Sequence, residues 1–162
     1  MMKFCGKIAQ VFVAVACIGA VTAPAVAAPI KGSTKIVNIR SDRGGQIIRY
    51  ALRAKKYHRS GSELRFSGRC DSACTLFLSM PKSKLCVKKG ASFGFHLPYG
   101  SGKSSNATAA RYMLRKYPSW VRSWIKANGG LKKRIERMDY AYASKFLKPC
   151  ANSKKRFSFF RI

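Results

Sequence analysis

"SGRCDSACTLFLS", Ser67 to Ser79, places two cysteines around an Asp-Ser-Ala triplet and then runs into apolar residues. The preceding "ELRFSG" predicts a short strand. From Ser72, "SACTLFLSM" is apolar enough for a buried helix, which Pro81 ends. Where a strand turns sharply into a helix, the first N–H groups lack partners and the helix dipole favours negative charge. A serine at that point suits a nucleophile, with backbone N–H groups ready to hold an oxyanion. The plainer reading is that Asp71 or Ser72 caps the helix. By spacing alone the plainer reading leads, because Ser and Asp are favoured caps.

Outward from this stretch the chain alternates helices and strands. "KIVNIR" (35–40) predicts a strand, "SDRGG" a turn, and "QIIRYALRAKKYH" a helix with Ile47, Tyr50, Ala51 and Ala54 on one face. Downstream, "KLCVKK" and "ASFGFHL" predict two strands split by Gly90, and "YGSGKSSNAT" a loop. A long helical region is expected from near Asn106, split at Tyr117-Pro118 because a residue before proline disfavours helix. "PSWVRSWIKANGG" opens with Pro and closes with Gly-Gly, as helices do. "LKKRIERMDYAYASKFL" predicts a last helix. The order β-α-β-α-β-β-α-α indicates an α/β fold in a single small domain.

The start of the chain reads as a secretory signal peptide over residues 1–27. Lys3 and Lys7 precede the apolar "IAQVFVAVACIGAV", and Ala25-Val26-Ala27 offers a cleavage triplet. The apolar core is short for a membrane span and Pro24 interrupts it. Residues 28–34 read as a linker, 35–150 as the folded domain, and 151–162, "ANSKKRFSFFRI", as a basic aromatic tail. The predicted localisation is periplasmic or secreted.

Export changes the cysteine arithmetic. Cys5 and Cys17 leave with the signal, and Cys70, Cys74, Cys86 and Cys150 remain. In an oxidising compartment four cysteines imply two disulfides, in one of three pairings. A zinc reading would take three of these cysteines plus His96, but the spacing fits no common finger. No cofactor and no metal site are expected. The chain carries 33 Lys and Arg against 5 Asp and Glu, a net charge of +28 to which Lys3 and Lys7 contribute two. Such a field attracts polyanions, whether nucleic acid, anionic lipid or acidic envelope polymers, and composition does not choose among them.

A serine nucleophile needs a base, and the only histidines are His58 and His96. His58 lies among cations in "KKYHRS" and reads as a surface residue. His96 ends the apolar "FGFH" just before a loop, where α/β proteins place functional groups. A packed core histidine is an equal reading of the same position. The base in turn needs an orienting carboxylate, from Asp42, Glu63, Asp71, Glu136 or Asp139. Glu136 and Asp139 are expected as neighbours on the last helix, where their plainer role is pairing with Lys132, Lys133 or Arg137. In "RYMLRKYPSWVRSWIK", Trp120 and Trp124 interleave with cations and suit an anionic surface. The leading alternative packs Trp120, Val121, Trp124 and Ile125 into the core or a subunit interface.

The order "KIVNIRSDRGG … SGRCDSACTLFLS … CVKKGASFGFHLPYGSG" resembles the proteolytic subunit of the Clp protease and its relatives in the ClpP/crotonase superfamily. The resemblance covers roughly residues 35–147 and implies the spiral fold of that superfamily. It puts Ser72 on the nucleophile, His96 on the general base and Asp139 on the third member of the triad. It gives the oxyanion hole to the N–H of Gly44 or Gly45 together with that of Ala73. The implied activity is a serine hydrolase acting on a peptide or acyl substrate, with ring-like homo-oligomers common in the family. No ATPase partner is expected for an exported protein. The alternative is an inactive member acting as a basic binding protein. Asp71 departs from the family pattern, since a carboxylate beside Ser72 opposes formation of its alkoxide.

Overall fold

A bulge at the centre of one strand sets the architecture. The computed structural model describes residues 34–151, which fall in one compact unit. The central strand, β2 (Glu63–Asp71), buries Leu64 and Phe66 completely and runs three residues past the predicted "ELRFSG". β1 (Ile36–Asp42) lies parallel along one edge of β2. Their register slips once, between Ile39 opposite Phe66 and Ser41 opposite Arg69, so β2 carries one extra residue there. Gly68 occupies the bulge, where any Cβ would overlap the Arg40 carbonyl oxygen. Bulges of this kind bend a strand and increase its twist.

The bulge also separates the partners on the other edge of β2. Before it, Leu64–Phe66 pair with β3 (Leu85–Val87); after it, Arg69–Asp71 pair with β4 (Ser92–Phe95). β3 continues to β6 (Lys148–Pro149), and β4 to β5 (Glu136–Met138). The result is a curled six-stranded sheet in which only the β4–β5 pairing is antiparallel.

Four α-helices and a long 3₁₀ helix cover the sheet. α1 (Ile47–Arg59) turns Tyr50 and Ala54 inward, with Ile47 and Ala51 half-buried beside them, as its periodicity predicts. Ser72–Ser79 forms a 3₁₀ helix rather than an α-helix, and is buried from Ala73 to Leu78. α2 (Lys103–Lys116) begins in the segment predicted as a loop, and Tyr117-Pro118 divides it from α3 (Ser119–Ala127). Trp120, Val121 and Ile125 are buried and Trp124 packs against the core, so this helix spends its tryptophans inside the protein.

The predicted last helix is not one. Its residues form β5 and then the single turn α4 (Tyr140–Ala143). Strand pairing overrides local helix propensity here, setting Met138 opposite Phe93 and Glu136 opposite Phe95. Glu136 and Asp139 therefore do not share a helix surface. Among the described residues, no helix is long and apolar enough to cross a membrane. The signal-peptide, linker and tail assignments fall outside the described residues, apart from Thr34 and Ala151.

Two disulfides close the structure, Cys70–Cys74 and Cys86–Cys150. They take up all four cysteines, including the three that the zinc reading needed beside His96. The first spans four positions across the turn at Ser72; the second spans 64 and ties the end of the domain to β3. Loop-closure entropy makes the long link worth about 4 kcal/mol and the short one about 2 kcal/mol. Urea unfolding should therefore show a larger loss for the Cys86→Ala/Cys150→Ala double variant than for Cys70→Ala/Cys74→Ala. Equal losses would show that local packing, not chain entropy, sets the stabilisation.

Candidate active site

β2 ends at Asp71, and the chain enters the 3₁₀ helix at Ser72 with φ of +56°, the only positive φ at a non-glycine among the described residues. A left-handed L-residue costs roughly 1–2 kcal/mol and persists only where its surroundings enforce it. The enforcing contacts are local. Gly44 packs so closely that a Cβ on it would lie 2.5 Å from the Asp71 carbonyl oxygen, 2.7 Å from Ser72 Cβ and 2.8 Å from the Ala73 nitrogen. Its own φ of +82° also requires glycine. The glycine turn and the serine turn thus meet backbone to backbone, which brings Gly44, Ser72 and Ala73 together.

Two hydrogen-bond systems hold this junction. On one side Asp42 Oδ1 accepts from the Gly44 N–H at 2.9 Å and from the Tyr50 hydroxyl, clamping the glycine turn to α1. On the other, the Thr75 hydroxyl lies 2.5 Å from the Ser72 carbonyl and 2.6 Å from the Tyr117 hydroxyl. A carbonyl only accepts, so Thr75 donates to Ser72 and Tyr117 donates to Thr75. Tyr117 is buried, and that burial pushes its phenol well above the usual range, keeping it a donor. The Tyr-Pro break between α2 and α3 thus presents a hydroxyl to the serine turn.

Asp71 does not act as the sequence suggests. It stands at the cap position of the 3₁₀ helix, yet its side chain makes no capping bond. Cross-strand register lines up Asp71, Gly94 and Arg137 on β2, β4 and β5. Gly94 leaves the carboxylate room to lie over β4, since a Cβ there would overlap Asp71 Oδ1. Asp71 Oδ2 then accepts from Arg137 at 2.9 Å, with Arg69 Nε at 3.5 Å. The carboxylate beside Ser72 is therefore charge-paired, which weakens the objection that it opposes an alkoxide. Oδ1 is buried and has no donor among the described residues.

The other predicted residues are placed as follows. His96 follows β4 and is partly exposed, with Nδ1 2.7 Å from the Leu97 carbonyl oxygen. That carbonyl only accepts, so Nδ1 carries the proton and a neutral ring leaves Nε2 as the acceptor. Leu97 is fixed in turn by its N–H bond to the Lys132 carbonyl at 2.7 Å. Asp139 caps α4, its Oδ1 accepting from the Tyr142 N–H at 2.9 Å. Among the described residues, no hydrogen bond joins Ser72 to His96 or His96 to Asp139. His58 is exposed at the end of α1. Sequence reasoning missed Thr75 and the role of Tyr117, which only the Tyr-Pro break marked, and it gave Arg137 to Glu136 or Asp139 rather than to Asp71.

Two outcomes test this construction. Burial, followed by the hydrogen bond and charge of Asp42, pushes the Tyr50 phenol up from its usual 10.0 to about 12. The unfolded phenol ionises first as pH rises. The stability tied to the Tyr50–Asp42 bond is thus intact below pH 10.0 and lost as pH climbs towards about 12. Urea midpoints across that window should fall more steeply for wild type than for Tyr50→Phe; parallel curves would remove the clamp. Replacing Arg137 with Ala leaves a buried carboxylate with only the longer Arg69 contact. It should cost about 1–3 kcal/mol, and Asp71→Asn should restore much of that loss in the double variant.

No family model matches the chain, and no curated protein matches it. Among solved structures, a peptidase from Plasmodium falciparum superposes with a TM-score of 0.49 at 10% sequence identity, over 75% of this chain and 79% of that one.

Proposed function

We propose that this protein is an exported serine hydrolase of the ClpP/crotonase type, acting on peptide or acyl substrates through Ser72 and His96. The observation that carries the reading is the left-handed Ser72 at the strand-to-helix turn, packed against Gly44. A strained turn of this kind presents a nucleophilic hydroxyl beside unpartnered helix N–H groups. In the proposed reaction Ser72 Oγ attacks the acyl carbon, and its proton passes to His96 Nε2. The imidazolium that forms returns the proton to the leaving group. The Ala73 N–H supplies one oxyanion donor. Gly45 supplies the other, because the Gly44 N–H already donates to Asp42.

The Leu97 carbonyl, not a carboxylate, orients the base in this reading. Asp139 has a structural role as the α4 cap, which replaces the Ser-His-Asp triad of the resemblance with a dyad. A second reading, an inactive member of the same fold that binds polyanions or anionic envelope surfaces, draws on the missing Ser72–His96 bond and the +28 charge.

An active-site serine phosphonate should label the wild type at Ser72, and Ser72→Ala and His96→Ala should abolish labelling. Asp139→Asn separates dyad from triad, since Asn caps a helix about as well as Asp. The dyad retains labelling within a few-fold, whereas a triad loses about 10⁴-fold in rate. A folded wild type that never labels would sink the hydrolase reading in favour of the second.

A further inference from the structure

Among the described residues, nothing packs on the outward side of α1, and that side mixes aliphatic and cationic side chains. Ile48 and Leu52 stand 74% and 62% exposed, one helical turn apart. Lys55 and Arg59 extend the same stripe at three- and four-residue spacings, and both are exposed. Lys55 also rims a groove of about 410 Å³ between α1, the 3₁₀ helix and α2. Ala54, Leu76 and Met80 floor that groove, and Lys116 of α2 faces Lys55 across it. α1 holds five Lys and Arg, Arg49, Arg53, Lys55, Lys56 and Arg59, and no acid. None of the five carboxylates of the chain lies in α1, α2 or α3.

From this arrangement we infer that the α1 face and its groove dock onto an anionic phospholipid bilayer. Ile48 and Leu52 enter the interfacial layer, and Lys55, Arg59 and Lys116 take the phosphates. Two exposed aliphatics flanked by cations need a partner offering both an apolar phase and negative charge. A bilayer surface offers both; nucleic acid offers the charge without the apolar phase. The tryptophans of α3, which the sequence offered for this role, are spent in packing. The inference does not depend on catalysis by Ser72, so the serine probe and the vesicle experiment fail separately.

The test uses the full chain, sedimented with vesicles of phosphatidylcholine alone or with one quarter phosphatidylglycerol. Wild type should bind the mixed vesicles and release as salt rises, because the headgroup contacts are screened. Ile48→Ser/Leu52→Ser should lower the partition coefficient about 10-fold or more, because the apolar contribution is removed while the charge stays. Lys88→Ser/Lys89→Ser, exposed at the β3–β4 turn, removes two charges elsewhere and should have a much smaller effect. Deuterium uptake over 47–59 should slow with mixed vesicles only, which localises the contact whatever the N-terminal segment does. Unchanged binding in Ile48→Ser/Leu52→Ser, no protection over 47–59, or an equal loss in Lys88→Ser/Lys89→Ser overturns the proposal.

Discussion

No side chain fits at residue 68. The Arg40 carbonyl of β1 occupies the space a Cβ would need, so β2 passes this point only as glycine and only as a bulge. The bulge decides which strands follow. β2 pairs with β3 before it and β4 after it, so the sheet curls instead of extending flat. Without that handover Cys70 and Asp71 would not lie beside Phe93 and Gly94, and β2 would not reach the glycine turn from which Gly44 contacts Ser72. The strain at Ser72 and the space above Gly94 both follow from one backbone accommodation three strands wide.

Charge gives the second constraint. In a chain of net charge +28, five carboxylates are scarce, and every one is committed. Asp42 clamps Gly44 and Tyr50, and Glu63 pairs with Arg65. Asp71 holds Arg137, Glu136 holds Lys132 and Arg134, and Asp139 caps α4. The Lys132 hydrogen bond holds the Glu136 carboxyl below the usual carboxylate range. Among the described residues, no carboxylate is hydrogen-bonded to His96, whose Nδ1 lies against the Leu97 carbonyl instead. The proposed dyad accordingly draws on backbone groups, the Leu97 carbonyl for the base and helix-start N–H groups for the oxyanion.

How much of this was legible in the sequence depended on how local the determining forces are. β1, α1 and the buried stretch after Ser72 were legible, because alternation and a one-sided apolar face are written within ten residues. The α2–α3 break was legible because Pro118 imposes it wherever the chain goes. The last third was not. "LKKRIERMDYAYASKFL" has no internal glycine or proline and reads as helix, yet Phe93 and Phe95, more than forty residues upstream, recruit it as a strand. The start of α2 was hidden by polar residues that favour loops; Gly102, at φ of +80°, turns the chain into the helix there. At the site, spacing alone left Ser72 a cap and only the resemblance grouped it with Gly44 or Gly45 and Ala73, while Thr75, Tyr117 and Arg137 act through contacts that only the fold creates. Asp71 was misread for the same reason: its neighbour in sequence is Ser72, but its partner in space is Arg137.

α1 connects the proposed site with the proposed docking face. Its inner face carries Tyr50, whose hydroxyl fixes Asp42 and through it Gly44, while the Tyr50 and Tyr57 rings pack on Phe77 of the 3₁₀ helix. Its outer face carries Ile48 and Leu52, which stabilise nothing inside the domain. An outward aliphatic pair is not needed for folding, since serine at both positions would keep the inner contacts. The two faces nonetheless share one rigid element of thirteen residues that begins two positions after Gly45. The inner contacts form one packed chain, from the Tyr50 and Tyr57 rings to Phe77 and from the Tyr50 hydroxyl through Asp42 to Gly44, which lies against Ser72. One helix thus has an inner side that packs on the serine turn and an outer side whose aliphatic pair the domain's own packing does not explain.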